Sequence, residues 1–207
     1  LNPSSAASDV YKRQLYKNQM FIQTEQTPNP QTLKFLPGKV VMDEGTAFYQ
    51  NVDEASDSPF ARRLFTVDGV EGVFFGSDFI TITKSDSYEW QVMKPSVLGG
   101  IIDHFNSDDK TVEKTAAKEG ENSLEKNEDD SDIVKQIKEL LDTRVRPAVA
   151  MDGGDIIYDN FEDGVVFLKM QGACSGCPSS TATLKMGIEN MLKHYIPEVQ
   201  EVRPVDA

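Results

Sequence analysis

The chain has 207 residues, of which 39% are hydrophobic, and a formal net charge of −13, so either one large domain or two small ones is expected. Nucleic-acid-binding proteins usually present a basic patch, and the acidic balance therefore leads us to expect no nucleic-acid partner. No stretch approaches the roughly 18 uninterrupted apolar residues that a membrane span needs, so no membrane partner is expected either.

Residues 1–19 are interpreted as a leader that is not part of the natural protein. The chain begins with Leu1, and residues 4–14 resemble a translated sequencing adapter. Several basic residues make an organellar presequence the alternative, although the segment carries Asp9 and shows no amphipathic period. With a start at Met20 no targeting signal remains, which predicts a bacterial cytoplasmic protein. The mitochondrial matrix is the alternative location.

Residues 20–105 are predicted to form a first α+β domain. Strands are expected at 21–25 and 32–36, and the turn between them, residues 27–30, contains two prolines that fix φ and remove backbone donors. The remaining expected elements are a helix capped by Ser58 with Pro59 in its first turn, a hairpin of 69–76 and 79–83, and a final helix from about Tyr88 that Pro95 starts or bends.

The composition changes sharply between Asn106 and Ser131. This segment is rich in Asp, Glu and Lys, contains no aromatic residue, and has only Val112 and Leu124 as large aliphatic residues. Such a sequence cannot bury enough apolar surface to offset the entropy lost on ordering. Residues 106–131 are therefore predicted to be a disordered acidic linker, and the fold class is predicted to be α+β with two small domains.

Residues 132–207 are predicted to form the second, smaller α+β domain. Asp132 is expected to cap a helix whose apolar residues recur at helical spacing and which residues 144–147 end. The glycines of the turn at 151–155 permit positive φ. The later elements are strands at 156–158 and 165–170 joined by a turn at 161–164, a helix capped by Ser179, Ser180 or Thr181, and an edge strand within 199–205.

The only two cysteines, Cys174 and Cys177, form a CxxC motif in the loop between the second of these strands and the following helix. The unpaired N–H groups at a helix start favour an anion, which should lower the thiol pKa at Cys177 and enrich the thiolate that binds metal or attacks disulfides. Gly172 and Gly176 are expected to let the loop wrap closely around a bulky ligand. Two neighbouring thiols, too few for a secreted disulfide scaffold, indicate a reducing compartment.

A lone CxxC supplies two thiolates, whereas structural zinc or an iron–sulfur cluster takes about four ligands. His104 and His194 are interpreted as helix-surface residues, and Asp152 and Asp155 as turn or capping residues, so none of them is expected to complete a metal site. One alternative is therefore that the pair acts alone, as in a thioredoxin-like dithiol oxidoreductase. The other is that two copies meet around one iron–sulfur cluster, with zinc as a further option.

Three features of the second domain disfavour the thioredoxin-like alternative. The domain is small for that fold, and its predicted order is helix–strand–strand–helix, so no strand–helix–strand unit precedes the motif. No aromatic residue directly precedes Cys174. The iron–sulfur alternative is therefore the favoured interpretation.

Two signatures, Asp-Gly-Gly-Asp at 152–155 and Gly-Ala-Cys-Ser-Gly-Cys-Pro-Ser-Ser at 172–180, are followed by Thr-Leu-Lys and Gly-Ile-Glu within 183–189. In these segments the second domain closely resembles the carboxy-terminal domain of NifU, the Nfu-type iron–sulfur proteins. The first domain, with its segments 24–30 and 33–35, is similar to the amino-terminal domain that accompanies it in bacterial and mitochondrial Nfu proteins.

The resemblance implies a scaffold or carrier and not an enzyme. Such a protein holds a [4Fe–4S] cluster between two protomers, receives it from a donor scaffold, and passes it to apo iron–sulfur client proteins. Cys174 and Cys177 match the family's ligands position for position, so both are expected to bind the cluster. The implied assembly is a homodimer joined through that cluster.

Overall fold

The computed structural model describes residues 20–107, 109–112, 131–176 and 178–205. The predicted leader, 1–19, lies outside the described residues, as do residue 108 and residues 113–130 of the predicted linker. The described linker residues contact the first domain: the Ser58 hydroxyl donates to the Thr111 carbonyl, and Val112 packs against the apolar core. The contacts of the first domain therefore reach Val112, beyond the expected start of the linker.

The described part of the first domain contains five strands: β1 (Gln23–Gln26), β2 (Thr32–Leu36), β3 (Ala47–Tyr49), β4 (Val70–Phe75) and β5 (Ile80–Lys84). They make one antiparallel sheet in the order β1-β2-β5-β4-β3. The expected strands and hairpin are confirmed. The edge strand β3 was not predicted, because three residues are too few to show an alternation of apolar and polar side chains.

Two helices, α1 (Pro59–Phe65) and α2 (Trp90–Asn106), pack against one face of this sheet. The predicted start of α1 is confirmed, since the Ser58 side chain accepts a hydrogen bond from the Ala61 amide at 3.0 Å. Pro95 lies inside α2 instead of starting it. The core between sheet and helices contains Leu33, Phe35, Val73, Phe75, Ile80 and Ile82 from the strands and Phe60, Leu64, Val97 and Ile101 from the helices.

The opposite face of the same sheet is also buried, because the second domain lies against it. Lys34, Thr81 and Phe74 stand directly opposite one another on β2, β5 and β4. Their side chains point away from the core described above, since successive residues of a strand face opposite sides. They are nevertheless only 7%, 1% and 1% exposed. We call these three residues the docking row.

The second domain begins with a helical run in three parts: α3 (Asp132–Leu140), a π-helical turn (Leu141–Val145) and α4 (Arg146–Met151). Ser131, not the predicted Asp132, caps the run by accepting from the Val134 amide at 3.3 Å. The predicted end at 144–147 is wrong, because Pro147 falls in the first turn of α4. A proline is tolerated there, where its missing N–H is not needed.

A three-stranded sheet completes the second domain, with β6 (Gly154–Glu162), β7 (Val165–Gly172) and β8 (Glu201–Val205) in that order, and α5 (Pro178–Tyr195) packs on it. The predicted turn between β6 and β7 has positive φ at Asp163 and Gly164, the conformation of a tight hairpin turn. The predicted edge strand β8 pairs parallel to β7. The α+β class is confirmed, and no helix in the described ranges is long and apolar enough to cross a membrane.

Candidate functional site

The CxxC loop lies between the end of β7 at Gly172 and the start of α5 at Pro178, which confirms the predicted strand–loop–helix context. Cys174 is buried, with 6% of its surface exposed, and belongs to the apolar core of the second domain. Cys177 lies outside the described residues, so its role as a ligand stays a prediction. The structure places one of the two expected ligands and the backbone that leads to the other.

Three hydrogen bonds within the second domain hold the loop around Cys174. The Ala173 amide donates to the Gly153 carbonyl at 3.1 Å, and the Ser175 amide donates to the Gly172 carbonyl at 3.1 Å. The Thr181 hydroxyl donates to the Cys174 carbonyl at 3.1 Å. Thr181 had been expected to cap the helix; in the structure its side chain ties the first turn of α5 to the loop instead.

Glycines allow the Asp-Gly-Gly-Asp turn and the CxxC loop to pack directly on each other. A Cβ atom on Gly154 would lie 2.7 Å from the Cys174 Sγ atom and 2.6 Å from the Gln171 carbonyl. Gly172 has a φ of 63°, and a Cβ atom there would lie 2.8 Å from the Gly153 carbonyl. Gly172 therefore serves this packing, whereas Gly176, with nothing within 4 Å, faces open space.

We expect Gly154→Ala to lower the free energy of unfolding by about 1–3 kcal/mol, because the added methyl group overpacks the Cys174 side chain. Gly187→Ala is the matched control, since a Cβ atom on this exposed helical glycine meets nothing within 4 Å. That variant should be more stable than the parent by about 0.5–1 kcal/mol. Urea denaturation measures both, and equal effects of the two variants would contradict the packing argument.

The environment of Cys174 favours its neutral thiol. Burial, with a contribution from the charges of Asp152 and Asp155, raises the pKa of the Cys174 thiol to about 12. The sequence had predicted a lowered thiol pKa from the helix start, but that argument concerned Cys177. A metal binds the thiolate and not the thiol, so binding of a metal by Cys174 has to displace the proton that burial favours.

Asp155 is a structural residue of the site and not a free ligand. Its carboxylate accepts two hydrogen bonds from the Arg146 guanidinium, at 2.8 and 2.6 Å, and one from the Ile156 amide at 2.8 Å. Thr46 of the first domain donates a fourth at 3.0 Å. Asp155 was expected to be a turn or capping residue; it lies instead in β6, where it forms an ion pair with Arg146. Arg146 and Thr46 were missed, because nothing in their local sequence signals a partner on the Asp-Gly-Gly-Asp turn.

Neither histidine belongs to the site. His104 was expected on a helix surface, which is wrong: it is 3% exposed and stacks on Phe60 at 3.7 Å between ring centroids. His194 is exposed near the end of α5, as expected. Among the residues that the structure describes, no group of three or more His, Cys, Asp or Glu side chains is placed to hold a metal ion.

An apolar cavity of about 610 Å³ opens beside Cys174, between the helical run and α5. Its wall includes Pro28 of the first domain, so both domains contribute to the surface around the cysteine. Asp152, which is exposed, lies at the same cavity. The larger apolar side chains of the lining are those of Val145, Val149, Leu184, Ile188 and Met191.

The fold and the site together define a two-domain thiol protein with a cysteine pair between a strand and a helix of its second domain. The family described as "Scaffold protein Nfu/NifU N terminal" matches residues 22–108, and the family described as "NifU-like domain" matches residues 137–203. The chain belongs to the Nfu/NifU family of iron–sulfur cluster scaffold proteins.

Curated relatives agree with this assignment. "NifU-like protein 4, mitochondrial" of Arabidopsis thaliana is 53% identical over 186 residues, which are 88% of this chain and 65% of the relative. "NFU1 iron-sulfur cluster scaffold homolog, mitochondrial" of Homo sapiens is 51% identical over 188 residues, which are 90% of this chain and 72% of the relative. The chain spans 65% and 67% of the length of the two Arabidopsis relatives.

A solution NMR structure of a NifU-like protein from Saccharomyces cerevisiae also aligns with part of the chain. The alignment covers 46% of this chain and 87% of the yeast one, at 27% identity and a TM-score of 0.42. A TM-score of this size carries no argument about fold or function.

Proposed function

We propose that this chain carries an iron–sulfur cluster of the [4Fe–4S] type, held by Cys174 and Cys177 of two copies, and delivers it to apo-proteins. The observation that carries the proposal is the ligand count. Each chain has two cysteines, and the described residues offer no further cluster of metal-ligating side chains. A cluster takes about four thiolates, so two chains are needed to complete its coordination.

The cluster is cargo in this proposal, and the chain's residues bind and release it by exchange of thiolates. Cys174 lies in the apolar core, so iron binding requires its exposure. Binding also releases the thiol proton. The loop is short and ends in the helix α5, so a bound cluster would be held by few protein contacts. Thiolates of a client then replace the cysteines of the carrier one at a time. Each exchange would break one iron–sulfur bond to the carrier and form one to the client, with no net oxidation or reduction.

The names of the relatives also bear on location. The Arabidopsis and human relatives are both named as mitochondrial, and nothing in these names supports the bacterial cytoplasm that the sequence had suggested. We infer the mitochondrial matrix as the location. Fractionation of the source cells, with the protein followed by antibody, tests this inference, and recovery outside the mitochondrial fraction would contradict it.

Transfer to a client tests the carrier function. The protein reconstituted with cluster should restore the activity of an apo-enzyme that requires a [4Fe–4S] cluster, and should do so in the presence of an iron chelator. The chelator intercepts free iron, so resistance to it distinguishes direct transfer from release and rebinding. A thioredoxin-like oxidoreductase would instead reduce the disulfides of insulin in the absence of iron, and that result without cluster transfer would contradict the proposal.

A further inference from the structure

The first domain makes polar contacts with the backbone around the CxxC loop through one turn and the docking row. Lys34, 7% exposed, donates through Nζ to the carbonyls of Ala150 and Met151, both at 3.1 Å. These are the last carbonyls of α4, where the helix dipole favours a cation. The buried lysine is therefore held by the second domain, with Glu25 of its own domain at 3.6 Å.

The second member of the docking row reaches the loop through a shared carbonyl. The Thr81 hydroxyl donates to the Gly153 carbonyl at 2.6 Å, and the amide of Ala173 donates to the same carbonyl at 3.1 Å. Phe74 completes the contact: a Cβ atom on Gly172 would lie 3.0 Å from its ring. The backbone on the amino-terminal side of Cys174 is thus fixed between the Asp-Gly-Gly-Asp turn and the first domain.

The turn between β1 and β2 contacts the loop on the other side of Cys174. Asn29 is 2% exposed, and its Oδ1 accepts from the Gln31 amide at 3.0 Å, which orients the side chain. Its Nδ2 then donates to the Ser175 carbonyl at 3.2 Å. Pro28 and Cys174 line the same cavity. The prolines that flank Asn29 limit the conformations of this turn, so Asn29 is presented to the loop by a stiff segment.

We propose that the first domain is a reversible clamp that holds the CxxC loop closed, with Cys174 buried, and that it must be displaced before a second copy can share a cluster. The proposal rests on the function proposed above. Cys174 is 6% exposed in the closed form, whereas a cluster bridging two chains requires the thiols of both at a common surface. The contacts from Asn29 and Thr81 fix the loop on both sides of the cysteine.

The clamp is expected to favour the closed form until ligands compete with it. Displacement would expose Phe74 and Phe79, which are 1% and 4% exposed in the structure, so the open form is unfavourable by itself. Binding of cluster and second copy to the open form alone shifts the population toward it. Interfaces between domains of one chain resemble transient interfaces, and their separation is an ordinary event.

The accessibility of Cys174 to alkylation tests the clamp. In a Cys177→Ser background Cys174 is the only thiol, and its reaction with iodoacetamide at fixed pH is followed by intact mass. Lys34→Met with Thr81→Val removes hydrogen bonds of the docking row while keeping side-chain volume. If Cys174 reacts only in the open form, loss of these hydrogen bonds should raise the population of that form. The alkylation rate should then rise about tenfold or more.

A matched control removes the same two residue types elsewhere in the first domain. Lys94 and Thr66 make hydrogen bonds to Thr24 and Arg63, within their own domain. Lys94→Met with Thr66→Val should leave the alkylation rate unchanged. Hydrogen exchange gives a readout independent of the thiol: the Ala173 amide should exchange faster in the docking-row variant and at the parental rate in the control. Unchanged exchange across β2, β4 and β5 shows that the first sheet is folded.

The same variants, made with both cysteines present, test whether opening of the clamp speeds the uptake of cluster. The docking-row variant should take up cluster faster than the parent and reach the same iron content per chain. If the docking-row variant shows the parental rates of both alkylation and Ala173 exchange, the clamp is wrong, whatever the outcome of loading. It is also wrong if alkylation is faster but loading is not, in a chain that does bind cluster. If the loop opens and no chain binds a cluster, the proposed function fails and the clamp remains as a property of the apo-protein.

Discussion

Cys174→Ser is expected to reduce the iron retained after anaerobic reconstitution from about two atoms per chain to background. The same result is expected for Cys177→Ser, because each chain contributes two of the roughly four thiolates and the loss of either removes two ligands from the dimer. Iron and sulfide analysis after gel filtration measures the effect. The variant should also elute as a monomer under conditions in which the reconstituted parent elutes as a dimer.

Ser175→Ala is the matched control for the cysteine variants, since it removes a hydroxyl from the same loop but no sulfur. The Ser175 backbone, which bonds Gly172 and Asn29, is retained, so cluster content should equal that of the parent. The serine variants should remain folded by circular dichroism, with a modest loss at position 174 where a hydroxyl enters an apolar core. A Cys174→Ser protein that is folded and still carries a full complement of iron would contradict the ligand assignment.

Asp155→Ala is expected to lower the free energy of unfolding by about 3 kcal/mol, the lower end of the cost of breaking a buried ion pair. The lower end applies because Arg146 is partly exposed and keeps Asp142 as a second partner. The Asp155 side chain is 5% exposed, and it holds Arg146, which is 25% exposed, in a bidentate pair. The variant also removes acceptors from the Ile156 amide and from Thr46 of the first domain. Urea denaturation followed by circular dichroism measures the loss.

Asp142→Ala separates this effect from a general loss of negative charge near Arg146. Asp142 also pairs with Arg146, at 3.2 Å, and the two residues are four positions apart in the helical run. The Asp142 side chain, however, is 44% exposed. Its removal should cost less than about 1 kcal/mol. Equal losses of unfolding free energy in the two aspartate variants would mean that burial of Asp155 does not determine its contribution to stability.

Much of the fold followed from local patterns in the sequence. The Ser58-Pro59 start of α1 was predictable because the capping oxygen and the fixed φ of proline act within one turn. The end of the first helical run was not, because Pro147 suggested a stop while the π-helical turn at Leu141–Val145 places that proline in the first turn of α4. A proline marks a helix end only when its position in the turn is known.

The place of the candidate site in the chain was predictable from the sequence, whereas its surroundings were not. The CxxC spacing and the glycine-rich turn are local signals, and they led to Cys174 and to the turn at Asp155. The burial of Cys174 and the contact of the two domains depend on pairs far apart in the chain, such as Lys34 with Ala150 and Asn29 with Ser175.

The burial of the docking row could not be predicted from the sequence pattern of its strands. Lys34 and Thr81 alternate with apolar residues on β2 and β5, as in a strand with one face in water. Their burial is visible only when the second domain is placed against that face. The glycines at 153, 154 and 172 likewise gave no sign of what approaches them, since a glycine marks a close contact or a positive φ without naming the partner.

Anaerobic loading of the full chain with iron and sulfide, with iron counted per chain and the mass of the same fraction determined by light scattering, tests the central claim most directly. A cluster shared by two copies predicts about two iron atoms per chain in a particle of twice the chain mass, and a monomer once the cluster is removed. A complete cluster in a single chain would contradict it, as would a folded protein that retains no iron under any oxygen-free condition.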